Sequence, residues 1–118
     1  MVARPSIQGA LVKIDWIRVQ ELQQEIGEED FAEVVEMFME EVDEVIERIR
    51  VGVDRTTLEA DLHFLNGSAL NLGFSEFSNL CQAGETKSAA GAHDSVCMPQ
   101  ILACYEKSRA AFLAECPA

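Results

Sequence analysis

Basic side chains are scarce in this sequence: nine Lys and Arg stand against twenty-one Asp and Glu, for a net charge of -12. Nucleic-acid binding needs clustered Lys and Arg to neutralise phosphates, so a nucleic-acid surface is excluded, and an anionic membrane is disfavoured for the same reason. Apolar residues never run on for the roughly eighteen positions that a spanning helix needs. Lys13 and Asp15 interrupt the N-terminal MVARPSIQGALVKIDW before it could serve as a signal-peptide core. The expectation is a soluble, cytoplasmic protein. Cys81, Cys97, Cys104 and Cys116 form no CxxC pair and keep no zinc-ligand spacing with His63 or His93. Free thiols at helix-packing positions are expected instead. No Gly-rich phosphate loop or kinase signature is present, so the chain should need no nucleotide and no metal of its own. Strand-period alternation is missing as well.

What remains is helical periodicity. The 118 residues, 48% hydrophobic, suit one domain with one core. Residues 1–14 contain Pro5 and Gly9 without a clear period and read as an N-terminal extension, leaving 15–118 as the folded domain. Asp15 can cap a short helix to about Ile26, with Gly27 ending it. A Glu-rich helix follows, with Phe31, Val35, Phe38, Val42, Val45 and Ile49 as its core stripe. Gly52 stops it, and Thr56 and Glu59 stand at capping-box spacing for a third helix to about Leu72. Gly73 supplies a left-handed stop and Ser75 a fresh N-cap for a helix carrying Phe77, Leu80, Cys81 and Gly84. Pro99 fits the first turn of a last helix presenting Ile101, Tyr105, Ser108 and Phe112. The fold class is therefore all-α, an antiparallel up-and-down four-helix bundle with a short additional N-terminal helix.

The segment LHFLNGSALNLGF, residues 62–74, holds a histidine and, four residues later, a glycine that costs a helix about 1 kcal/mol relative to alanine. Leu58, Leu62, Leu65, Ala69 and Leu72 fall within an arc of about 80°, and His63 lies about 140° from its centre. The histidine should stand in or near solvent. Gly67 either clears space beside the imidazole for something large to reach it, or lets a neighbouring helix approach closely. Leu70 and Phe74 would form a small apolar docking patch beside an accessible nucleophile. Residues 62–74 carry no Asp, Glu, Lys or Arg, so a partner bearing acidic metal-binding groups could approach without direct repulsion.

The run from His63 to Gly73, with Leu65, Gly67, a small Ser68 and the closing Gly73, resembles the histidine-containing phosphotransfer (HPt) domain motif. The likeness extends over about residues 15–116. It implies a phosphocarrier rather than an enzyme, with His63 as phosphoacceptor exchanging phosphate with a response-regulator receiver domain, a histidine kinase or both. Mg²⁺ is expected only in the partner receiver. One departure stands out, because the family's usual Lys three residues after the histidine is Asn66 here. An amide still donates a hydrogen bond, and an exposed charged contact is worth only about 0.2–1 kcal/mol, less than tenfold in rate. Counting back along an antiparallel neighbour from Gly73 brings residues 84–87 level with His63, so Lys87 is a candidate to replace the missing charge. Two other readings stay open: a non-catalytic helical module that docks a signalling partner through the His63–Phe74 face, and a metal or enzyme site built from His63 and His93.

Overall fold

Short polar and glycine signals set the helix ends. The computed structural model describes residues 13–115, so nearly all of the expected extension, and Cys116, lie outside the described residues. Asp15 accepts the N–H of Arg18 at 3.1 Å and opens helix α1 (Trp16–Ile26). Gly27, at φ 98°, breaks the chain between α1 and α2 (Glu28–Val51). Helix α2 has Glu28, Glu29 and Asp30 in its first turn and Arg48 and Arg50 in its last, matching the helix dipole at both ends. Asp54 then accepts both the backbone N–H and the hydroxyl of Thr56, bonds that hold its carboxyl below the usual carboxylate range. That turn takes the place of the expected Thr56–Glu59 capping box and leads into α3 (Leu58–Leu72).

Gly73, at φ 83°, closes α3, and α4 (Ser75–Ala89) follows at once. Ser75 was expected to cap α4, but Phe74 occupies that position and the Ser75 hydroxyl donates to the Lys13 carbonyl. A 3-10 turn (His93–Ser95) precedes α5 (Met98–Glu115), whose first turn accommodates Pro99 where no N–H is required. Among the described residues every regular element is helical, and no helix is long and apolar enough to cross a membrane.

The core follows the stripes closely. The five residues expected on α3 are all buried, as are Ile101, Tyr105, Ser108 and Phe112 on α5. On α2 the buried set is Phe31, Val35, Met39, Val42, Ile46 and Ile49. Phe38 and Val45, expected in that stripe, are only partly buried. The α-helix advances about 100° per residue, which leaves these two about 60–80° from the stripe's centre while Met39 and Ile46 stay within it. Tyr105 donates to Asp43 Oδ1 at 2.5 Å, tying α5 to α2, and burial pushes its phenol well above the usual range. Cys81 and Cys104 are buried free thiols, but Cys97, expected at a packing position, is exposed in the link before α5.

Helices α3 and α4 run antiparallel with a register set by Gly84. A Cβ built there would lie 3.1 Å from Leu62 Cδ1, 3.3 Å from Val96 Cγ1 and 3.4 Å from Ile101 Cδ1. The α4 backbone thus sits against Leu62, and a bulky side chain at this point would force the helices apart. Gly84→Val should cost about 1–3 kcal/mol by overpacking, read as a lowered urea midpoint at unchanged m-value. An unchanged midpoint would show that the pair is not held together at this contact.

Candidate functional site

The stripe that buries α3 turns His63 outward, and its side chain is 76% exposed. One ring nitrogen is engaged. His63 Nδ1 lies 2.8 Å from Oε2 of Glu85, a half-buried residue on α4 whose side chain is 24% exposed. A carboxylate only accepts, so this bond places a proton on Nδ1, and in the neutral tautomer that matches it the lone pair is on Nε2. The carboxylate thereby orients the ring and leaves Nε2 as the nitrogen it does not engage. Glu85 is one position from Gly84 on α4, just as His63 is one position from Leu62 on α3. The contact that sets the helix register therefore also sets this hydrogen bond.

Among the described residues, nothing lies within 4 Å of a Cβ built at Gly67. Close helix approach, one of its two sequence readings, belongs to Gly84 and not to Gly67. Its neighbours one helical turn away are His63, Phe64, Leu70 and Asn71, all exposed. Leu70 is 58% exposed and Phe64 37%.

Phe74 requires a correction, because it is 1% exposed and packs edge-on against Phe112 at 5.5 Å. The left-handed Gly73 redirects the chain, so Phe74 points inward and does not extend the outer face of α3. The apolar side chains around the open glycine are Leu70 and Phe64.

The structure does not bring Lys87 to His63 either. Its Nζ donates to the Ser95 carbonyl at 3.4 Å. Two residues beyond Glu85, it projects about 200° around α4 from the side that meets the imidazole. Arg48 is also engaged, forked onto both oxygens of Asp61 at 2.9 and 3.0 Å. Asn66 lies between the core stripe and His63, with its Oδ1 accepting from Ser78 Oγ at 2.5 Å. His93 is in the 3-10 turn. Among the described residues no group of three or more His, Cys, Asp or Glu side chains is placed to hold a metal ion.

The site is thus an outward imidazole with one nitrogen held by a carboxylate, beside an open glycine on a helix face without charged residues. Comparison with family models matches residues 33–111, more than half of the chain, to the Hpt domain. The chain belongs to the Hpt domain family. Among curated proteins and among solved structures nothing matches it. Hpt domains are phosphocarriers of phosphorelays that interact with receiver domains and kinases.

Glu85, Ser78 and Phe64 were not among the residues expected from sequence. Glu85 lay inside the window counted back from Gly73, and the choice of Lys87 there followed charge where the register favoured its neighbour.

The open space at Gly67 makes a direct expectation. Gly67→Ala should stabilise the free domain by about 0.5–1 kcal/mol, since alanine meets no neighbour and lowers the entropic cost of the helix. Thermal or urea unfolding reads this directly, and a loss of stability would show that the glycine serves internal packing.

Proposed function

We propose that this Hpt domain is a histidine phosphotransfer protein, in which His63 Nε2 accepts a phosphoryl group from a receiver-domain aspartate or a histidine kinase and passes it to another receiver. The observation that carries the reading is the Glu85-oriented, solvent-facing imidazole. Residues 15–118 act as one domain, with α2 to α5 forming an antiparallel up-and-down bundle and α1 added to it. The working compartment is the cytoplasm.

Transfer begins with the Nε2 lone pair aimed at phosphorus. The N–P bond forms as the O–P bond of the aspartyl phosphate breaks, and the departing carboxylate keeps the bonding electrons. Nδ1 retains its proton, so as the departing carboxylate carries away a negative charge the ring takes on a balancing formal positive charge. Glu85 faces that charge across a 2.8 Å hydrogen bond and balances it. Reversal returns the electron pair to the ring. The remaining requirement of phosphoryl transfer, neutralisation of the equatorial oxygens, falls to Mg²⁺ and lysine in the partner receiver. Gly67 leaves room for the receiver, and Leu70 with Phe64 offers it apolar contact. The chain's own part is to orient the ring and leave its outer face clear.

Incubation with receiver domains charged by acetyl phosphate and Mg²⁺ should place acid-labile phosphate on the wild-type chain and none on His63→Gln. Binding without transfer would instead support a docking module with no phosphocarrier role. Glu85→Ala should slow transfer about three- to tenfold through loss of the charged hydrogen bond, the lower part of the range reflecting solvent screening at an exposed ring. Glu85→Gln, which still accepts from Nδ1 but lacks the charge, should fall between. Equal rates for all three would remove Glu85 from the mechanism.

A further inference from the structure

Asn66 and Ser78 face one another from α3 and α4, and neither belongs to an aliphatic or aromatic packing stripe. Ser78 is buried and Asn66 half-buried. The Ser78 hydroxyl donates to Asn66 Oδ1 at 2.5 Å. A buried hydroxyl is costly unless it is bonded, and here the amide oxygen satisfies it. The two ends of a planar amide diverge by about 120°, so holding Oδ1 toward α4 turns the NH₂ group away from α4. Among the described residues no hydrogen bond engages Asn66 Nδ2, and that atom is not among the buried unpaired groups.

Asn66 is three residues after His63, a spacing that puts the two Cβ atoms about 5–6 Å apart on adjoining faces of α3. Around the helix axis they differ by about 60°. A phosphoryl group on Nε2 would come within reach of an amide turned outward at that point.

We infer that Asn66 donates a neutral hydrogen bond from Nδ2 to a phosphoryl oxygen of phospho-His63, and that Ser78 is the positioning residue that holds the amide in the donating orientation. The inference rests on the phosphocarrier reading and deepens it. It assigns a use to the departure from the lysine pattern: the donor at this position is an uncharged amide, fixed by a second helix instead of by its own charge. With Ser78 removed, the amide is free to rotate and to offer its oxygen to the phosphoryl group, which repels it.

The test uses the full chain and a panel of receiver domains charged with acetyl phosphate and Mg²⁺, and measures how phosphate distributes at equilibrium between receiver aspartate and His63. Ser78→Ala should shift that distribution toward the receiver by about two- to tenfold, the worth of one neutral hydrogen bond. Asn66→Asp keeps the acceptor for Ser78 but replaces the donor with carboxylate oxygen, and should shift it at least as far. Asn66→Lys should shift it toward His63. In the Asn66→Lys background Ser78→Ala should have no further effect, because lysine needs no orientation from the serine. A merely structural serine would act equally in both backgrounds, and that result, or an unchanged distribution in both Ser78→Ala and Asn66→Asp, overturns the inference while leaving the carrier function intact. If the wild-type chain takes no phosphate from any receiver, the function and the inference fall together.

Discussion

The contact between the Gly84 backbone and the Leu62 side chain governs the site without belonging to it. A Cβ at Gly84 would approach Leu62 Cδ1 to 3.1 Å, so the absence of a side chain is what lets α4 settle against α3. Once Leu62 and Gly84 are paired, antiparallel geometry leaves little freedom to the positions beside them. His63 meets Glu85 and Asn66 meets Ser78, each on the same side of the hairpin. A slip of one residue would turn each of these α4 partners by about 100° and separate them from the α3 side chains they serve. The buried packing of a leucine against a glycine therefore positions polar groups of which His63, Glu85 and Asn66 are half-buried or exposed, and these could not fix their own register through surface interactions worth about 1 kcal/mol or less.

The electrostatics of the site follow from where the acidic residues are placed. A chain with a net charge of -12 is an unpromising recipient for another doubly charged group. Ten of the twenty-one acidic residues lie on α2, however, while residues 62–74 carry no Asp, Glu, Lys or Arg. Within the site Glu85 touches His63 from the Nδ1 side of the ring, away from Nε2. In the proposed transfer it would attract there the charge that the ring gains and stand farther from the oxygens of the incoming phosphoryl group. The same carboxylate on the Nε2 side would oppose transfer.

Several of these features were legible in the sequence, and the pattern of success has a physical basis. Helix periodicity reports burial by itself, so the α3 stripe placed His63 outward and identified all five core residues of that helix. On α2 the same reasoning slipped by one residue at Met39 and Ile46, because in a long amphipathic helix adjacent apolar residues both lie near the stripe and only packing chooses between them. Phe74 was misread because periodicity was extended past the left-handed Gly73, where the helical angle no longer applies. Partners across the hairpin were only half legible. Counting from the turn reached a four-residue window at 84–87, but helix phase within that window depends on how closely the backbones approach. Gly84 carries that information, and it becomes readable only once the glycine is recognised as a contact point. Lys87 was favoured for its charge, yet the phase of α4 sends it to the Ser95 carbonyl.

The two glycines separate what the fold requires from what exchange requires. Gly84 is buried among Leu62, Val96 and Ile101, so its missing side chain is explained within the molecule. Gly67 has the opposite character: it sits on an outer helix face, meets nothing within 4 Å, and still carries the helical cost of glycine, about 1 kcal/mol. Among the described residues no contact compensates that cost, and the residues around it are an exposed histidine, two exposed apolar side chains and an asparagine. A destabilising residue whose evident effect is free volume beside an exposed imidazole is intelligible on the proposed function, in which another molecule fills that volume. On that proposal the stability given up in the free domain at Gly67 becomes access for a partner, and the register fixed at Gly84 presents that partner with an oriented ring.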